Sequence, residues 1–333
     1  MSDKPLASVS LDVDDLWTYL RTHGDPGWTE RPSYLTTFVP MALDLFDELG
    51  LRITFFIVGA DGQREENAAA LGALSAAGHE IGNHSFDHEP WLHRYDRGQL
   101  ERELDRSEAA IREATGRQPV GFRGPGYTWS PVLLDLLSRR GYQYDGSTLP
   151  TYIGPLARAY FFRTTRLTRE EAAARSHLFG SFSDGLRPSR AYWWRLSEGR
   201  RLLEIPVTTF PGCKTPFHLS YLHYLARYSE RLALAYLRAA ATACRLTGNS
   251  LSFLLHPLDL LDRTHAPQLA FFPGMDLDHR RKRALFVAAL GVLREQFTLV
   301  PMGVHAEALG AFDGLPTRHP GTFRPLARPA SVG

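Results

Sequence analysis

The chain has 333 residues, of which 44% are hydrophobic and 22% charged. This is an ordinary globular composition, with room for one large α/β domain or a domain carrying an insertion. A formal net charge of +2 gives no electrostatic reason to expect a nucleic-acid partner. Along the chain, "ASVSLDVDD" reads as a β-strand that ends in a carboxylate cluster. "LTTFVPMALDLFDELG" has apolar residues at helical spacing and stops at Gly50. "LRITFFIVG" reads as a buried strand, residues 63–77 as an alanine-rich helix, and residues 79–82 as a short strand leading into "NHSFDHEPW". There follow a charged amphipathic helix in "GQLERELDRSEAAIREATG", a strand and glycine turn in "PVGFRGPG", a helix in "SPVLLDLLSRRG" and a strand in "YQYDGS". The alternation breaks over residues 150–201. It resumes with the strand "LLEIPVTTF", a helical region over residues 221–246, the strand "LSFLLHP", a helix over residues 279–296 and the strand "FTLVP".

Strand–helix alternation predicts a parallel α/β arrangement, here a distorted (β/α) barrel with an insertion after the fifth strand. The barrel is expected to run over residues 1–312 as one domain. Residues 313–333, rich in Pro, Gly and Arg, are expected to form a loose C-terminal tail.

In such barrels the chemistry sits at the C-terminal ends of the strands. The first strand ends in Asp12, Asp14 and Asp15. The third leads to His84 and His88, the fourth to Arg123 and a Gly-Pro-Gly turn, the fifth ends at Asp145, and the strand "LSFLL" leads to His256. Each has a plainer reading. An aspartate at a strand end caps a helix, a lone arginine makes a structural ion pair, and a histidine after an apolar run sits satisfied in the core. Two histidines four apart share a helical face by chance often enough that the pair alone decides nothing. Their joint placement on one rim favours chemistry. One aspartate and two neutral imidazoles form a mixed O/N set that suits one divalent ion, with Zn2+ the first choice, and leaves positions for water and substrate. A second carboxylate can take a proton from water, a histidine opposite can protonate a leaving group, and N–H groups of the glycine turn can hold an oxyanion.

With these residues the chain resembles the polysaccharide deacetylases, carbohydrate esterase family 4, also called the NodB-homology family. "SLDVDD" is similar to the family's first motif, "HSFDH" to its His-(Ser/Thr)-x-x-His motif, "RGPG" to its Arg-x-Pro turn and "LLH" to its Leu-x-His motif, in family order. The resemblance implies a distorted (β/α) barrel that removes acyl groups, usually N-acetyl from an amino sugar, with a divalent metal. It implies His84 and His88 as metal ligands, His256 as general acid and Arg123 as the residue that orients the base. Gly126, with Tyr127 beside it, falls where the family supplies an oxyanion-hole N–H and substrate contact. In an extended strand Asp12 and Asp14 share a face, so Asp12 is taken as base and Asp14 as ligand. Strand ends curl, so the pairing of Asp14 with Asp15 stays open. The family's Asp/Trp motif is indistinct here. Asp145 stands in a suitable place without the tryptophan, and Asp259 is a second candidate to support His256.

The insertion interleaves aromatic and basic residues, among them Phe161, Phe162, Trp193 and Trp194. These are candidate membrane or substrate contacts, with core packing as the plainer reading. "MSDKPLASVSLDVDD" has no apolar segment of signal-peptide type, and Cys213 and Cys244 make no disulfide framework. The expected location is therefore cytoplasmic, with a peripheral place on the inner face of the membrane as the narrower form. The expected partner is an amino sugar, lipid-linked in that narrower form. Two alternatives stand beside this: a deformylase or allantoinase-like amidohydrolase, and a non-catalytic glycan- or lipid-binding protein on the same scaffold.

Overall fold

The computed structural model describes residues 4–156 and 181–322. Strand β1 (Leu6–Val13) lies at the centre of the sheet, between β2 (Thr54–Ile57) and β8 (Leu251–Leu255), parallel to both. Its side chains alternate. Ala7, Val9, Leu11 and Val13 enter the main apolar core, while Ser8, Ser10 and Asp12 are buried on the other face, inside the barrel. From β2 the sheet continues in parallel through β3 (Glu80–Asn83), β4 (Gly121–Phe122) and β5 (Tyr144–Asp145) to β7 (Arg201–Glu204). Beyond β7 lie β6 (Tyr192–Arg195), antiparallel to it, and β10 (Thr317–Arg318); β9 (Thr298–Val300) pairs with the start of β1.

The connections carry helices α1 (Leu16–His23), α2 (Leu35–Glu48), α3 (Gly59–Gly62), α4 (Glu65–Ala76), α5 (Arg97–Thr115) and α6 (Pro131–Arg139). After β7 come α7 (Leu219–Ala226), α8 (Glu230–Thr247), α9 (His279–Gln296) and α10 (Met302–Gly310). The ladder itself is an open path. Irregular chain after β7 makes the last joint: Ile205 N–H donates to Asp145 O at 2.9 Å, Val207 N–H to Thr148 O at 2.8 Å, and Thr208 N–H to Ser252 O, beside β8, at 3.2 Å. That joint makes the molecule a distorted (β/α) barrel. Two glycines make space for its filling. A Cβ on Gly82 would stand 2.4 Å from the Phe56 ring, and one on Gly121 2.1 Å from the Tyr144 ring. Helix α10 seals the N-terminal end of the barrel, where Met302 N–H donates to Thr54 Oγ1 and Gly303 N–H to Glu80 Oε2, both at 2.7 Å.

The structure departs from the expected elements in places. The helical region after β7 is two helices, because Ser229 caps α8 by accepting from Leu232 N–H at 3.2 Å. Helices α1 and α10 follow their strands with hardly a linker and were not expected. β10 lies inside the stretch expected to be loose, where Trp193 N–H donates to Pro316 O at 2.9 Å. The end of the insertion supplies β6, which pairs antiparallel with β7 just after it.

Candidate active site

The strand ends bring Asp12, Asp14, His84, His88 and Arg123 together. Helical spacing does not do this for the two histidines. They stand in a loop after β3, in which Ser85 (φ 64°) and His88 (φ 51°) adopt the left-handed conformation. Such backbone is costly for residues other than glycine and persists where surrounding bonds enforce it. Here Glu103 of α5 accepts from Phe86 N–H at 2.9 Å and Asp87 N–H at 2.8 Å, and Asn83 Oδ1 accepts from Ser85 N–H at 2.9 Å. Gly59 and Ala60 of α3 donate to the carbonyls of Ser85 and Phe86 at 2.8 and 3.0 Å.

Asp14, His84 and His88 are placed so that they could hold a metal ion. His84 Nδ1 lies 2.6 Å from the Arg123 carbonyl oxygen. A carbonyl only accepts, so Nδ1 carries the hydrogen and Nε2 of the neutral ring presents a lone pair. That Nε2 stands 3.3 Å from Asp14 Oδ1, and His88 Nε2 stands 3.0 Å from the same oxygen. Asp14 Oδ1 is buried without a well-aligned hydrogen-bond donor. Acceptors at these separations repel unless a proton or a metal ion lies between them. Burial alone raises the Asp14 carboxyl, but His88 and His84 outweigh it and hold it well below its ordinary range. Burial lowers the His84 imidazole, but Asp12 and Asp14 overcome this and raise it. Burial depresses His88.

The aspartate register follows from the same geometry. Asp12 Oδ1 receives Arg123 Nη1 at 2.6 Å, and its Oδ2 faces His84 Nε2 at 4.0 Å. Asp15 turns away: it caps α1, accepting from Leu16 N–H at 2.7 Å and Tyr34 N–H at 3.0 Å, and burial pushes its pKa up to about 6. The Arg123 guanidinium is fully buried over the Phe56 ring and also donates to Ser10 Oγ at 2.9 Å and Gly146 O at 3.1 Å. Its turn needs glycine twice. A Cβ on Gly124 would meet Thr128 O at 2.0 Å, and Gly126 has φ 60°. Gly126 is exposed, and Tyr127 beside it has φ 59°.

His256 is partly exposed at the end of β8. Its own N–H donates to Asp259 Oδ2 at 2.8 Å, and its Nδ1 lies 3.9 Å from that oxygen. Asp145 instead accepts from Ser147 Oγ and stands in register with Glu204, beneath the rim. Of the two candidates beside His256, Asp259 is the one in reach. Sequence reasoning missed three residues that shape the site: Glu103 behind the histidine loop, Glu204 beside Asp145, and His218, whose ring lies 6.2 Å from that of His256. None lies in a motif. Glu103 is one acid among many on a charged helix.

Trp194 is fully buried, tilts against Trp129 at 4.9 Å and donates Nε1–H to Glu204 Oε2 at 3.0 Å. Trp193 is half-buried under Arg201 and packs on the cluster that holds Tyr144 and Leu203. Trp194 is thus corrected from an outward contact to a packing residue, while Trp193, on the opposite face of β6, is only partly covered. Phe161 and Phe162 lie outside the described residues. Among those described, no helix is long and apolar enough to cross a membrane.

A second Asp-His-His group, Asp262 with His265 and His279, differs from the first. Asp262 Oδ1 accepts from Thr264 N–H at 2.9 Å and lies 2.8 Å from His265 Nδ1, and Oδ2 accepts from His279 N–H at 2.9 Å. Donors satisfy both oxygens, and hydrogen bonding accounts for the group without a cation.

Fold and rim together can be compared with known proteins. Residues 3–144 match the sequence model of the family described as polysaccharide deacetylase. The peptidoglycan deacetylase of Helicobacter pylori is 28% identical over 153 residues, 45% of this chain and 51% of that protein. The chitooligosaccharide deacetylase of Sinorhizobium fredii is 31% identical over 131 residues, 37% of this chain and 60% of that protein. The chain thus spans about half the length of the curated relatives it matches. Among solved structures, a Mycobacterium smegmatis protein described as a polysaccharide deacetylase aligns with a TM-score of 0.62 at 20% identity, over 99% of this chain and 96% of that one. PuuE allantoinase aligns with a TM-score of 0.56 at 17% identity, over 92% and 91%. Both likenesses concern the fold.

Proposed function

We propose that the protein is a metal-dependent hydrolase that removes an N-acyl group, first of all N-acetyl, from an amino sugar. The observation that carries this is the meeting of Asp14 Oδ1 with the Nε2 atoms of His84 and His88 at 3.3 and 3.0 Å, an arrangement of acceptors that a divalent ion relieves. The relatives named as deacetylases of peptidoglycan and chitooligosaccharide support the substrate class. Asp14, His84 and His88 would hold the ion, with Zn2+ the first choice for mixed N/O donors, and it would supply Lewis acidity toward the acyl carbonyl. Asp12 takes a proton from the attacking water through Oδ2, because Arg123 occupies Oδ1 and fixes the carboxylate. The backbone N–H of Gly126 faces the developing oxyanion, with Tyr127 beside it. His256, steadied by Asp259, gives a proton to the departing amine.

The site is poised for amide hydrolysis, and the sugar enters from the relatives. A lipid-linked sugar is the narrower form, with a peripheral membrane position. It rests on the aromatic–arginine run around Phe161 and Phe162, since Trp194 is buried and Trp193 half-buried.

The test is acetate release from N-acetylchitooligosaccharides and peptidoglycan fragments by Zn2+-loaded protein. Activity should vanish with a chelator and return with metal. Asp12→Asn should keep the metal and lose roughly 10²–10⁴-fold in kcat. His256→Ala should lose a comparable factor, and each variant should lose one limb of the pH–rate profile. Absence of acetate release from every N-acetyl sugar by fully loaded protein would sink the reading.

A further inference from the structure

One buried polar group on the rim has no part in the chemistry above. His218 occupies the position ahead of the first turn of α7, yet its side chain makes no capping hydrogen bond. It is 7% exposed, and its Nδ1 has no partner. The ring is set edge-on to Tyr221 at 4.8 Å and lies 6.2 Å from the His256 ring, within electrostatic reach of Asp12 and Asp259. A buried nitrogen without a partner has lost its water and gained nothing in return. Packing alone would favour a phenylalanine or leucine here, and helix capping does not use the imidazole.

The identity of the missing partner follows from His256. In amide hydrolysis the general acid stands beside the departing nitrogen, and in an N-acyl amino sugar that nitrogen carries the sugar ring. A group next to His256 therefore faces the sugar rather than the acyl chain. We propose that His218 is a substrate-binding residue that hydrogen-bonds a sugar hydroxyl on the leaving-group side of the scissile amide. The inference rests on the function proposed above. A hydroxyl both donates and accepts, so it serves either tautomer of the ring. Burial first, and His256 second, push the His218 pKa down to about 4, so at neutral pH the ring is uncharged and does not compete with Arg123 for Asp12.

The test compares two substrates that share an acetyl group, an N-acetylchitooligosaccharide and 4-nitrophenyl acetate, which has no sugar hydroxyl. His218→Phe should lower the sugar-to-ester ratio of kcat/KM roughly tenfold, mainly through KM on the sugar. His218→Gln, which keeps a polar atom, should recover part of the ratio. The Tm of His218→Phe should hold or rise, because an unpaired nitrogen is removed. A ratio equal to that of the parent in both variants, whether both activities fall or neither does, overturns the inference while leaving the function standing. A parent protein that cleaves the ester and no N-acetyl sugar overturns the function and this inference together.

Discussion

At the scale of single residues, the first strand shows what a sequence can and cannot assign. Its alternation is legible: Ser8, Ser10 and Asp12 face inward because a strand has period two. That parity separates Asp12 from Asp15 but does not say which carboxylate meets the imidazoles. The structure adds that Asp15 is consumed by the backbone of Leu16 and Tyr34. Asp15→Asn should therefore keep a full complement of Zn2+, since asparagine caps a helix as well as aspartate does. His88→Ala should lose metal and activity together. Elemental analysis of the purified variants decides: a fully loaded His88→Ala, or an empty Asp15→Asn, would reassign the ligands. His218 was illegible for a different reason. Its neighbours are distant in sequence, and no spacing rule connects residue 218 to residue 256.

At the scale of elements, the histidine motif was visible and its geometry was not. A spacing of four suggests a helix, but the loop is held by bonds from α3, α5 and the end of β3. Both loop amides that meet Glu103 use the same oxygen, Oε1, so the carboxylate acts as a clamp. Residues that fix ligand orientation typically change metal affinity by 10–100-fold when removed. Glu103→Ala should therefore weaken Zn2+ binding roughly tenfold or more, with far-UV circular dichroism unchanged. Glu103→Gln retains an acceptor oxygen and should stay close to the parent. Competition with a chromophoric chelator measures both. Equal affinity in all three proteins would mean that the loop holds its left-handed residues without the clamp.

At the scale of the whole molecule, strand–helix alternation revealed the barrel, because each β-to-α step buries a local apolar face. The closure was hidden, since it depends on irregular chain at 205–208 meeting β8. Also hidden was the acid pair that β5 and β7 bring into register: Asp145 and Glu204, both fully buried. Burial pushes Asp145 up to about 6 and, with Asp145 adding to it, holds Glu204 well above the ordinary carboxyl range. A carboxyl that binds its proton more tightly when folded stabilises the fold below the pKa of the unfolded chain. That stability is lost as pH rises through the folded value. Asp14 has the opposite sign, so a single pH–stability curve mixes the two and a difference curve is needed. Asp145→Asn still accepts from Ser147 and stays uncharged at every pH. Urea unfolding of the metal-free proteins should show the variant gaining on the parent as pH rises from 4 to 7, by up to about 3 kcal/mol. Parallel curves for parent and variant would mean that Asp145 ionises in the fold as readily as in the unfolded chain. The neutral state of Asp145 would then play no part in holding the barrel together.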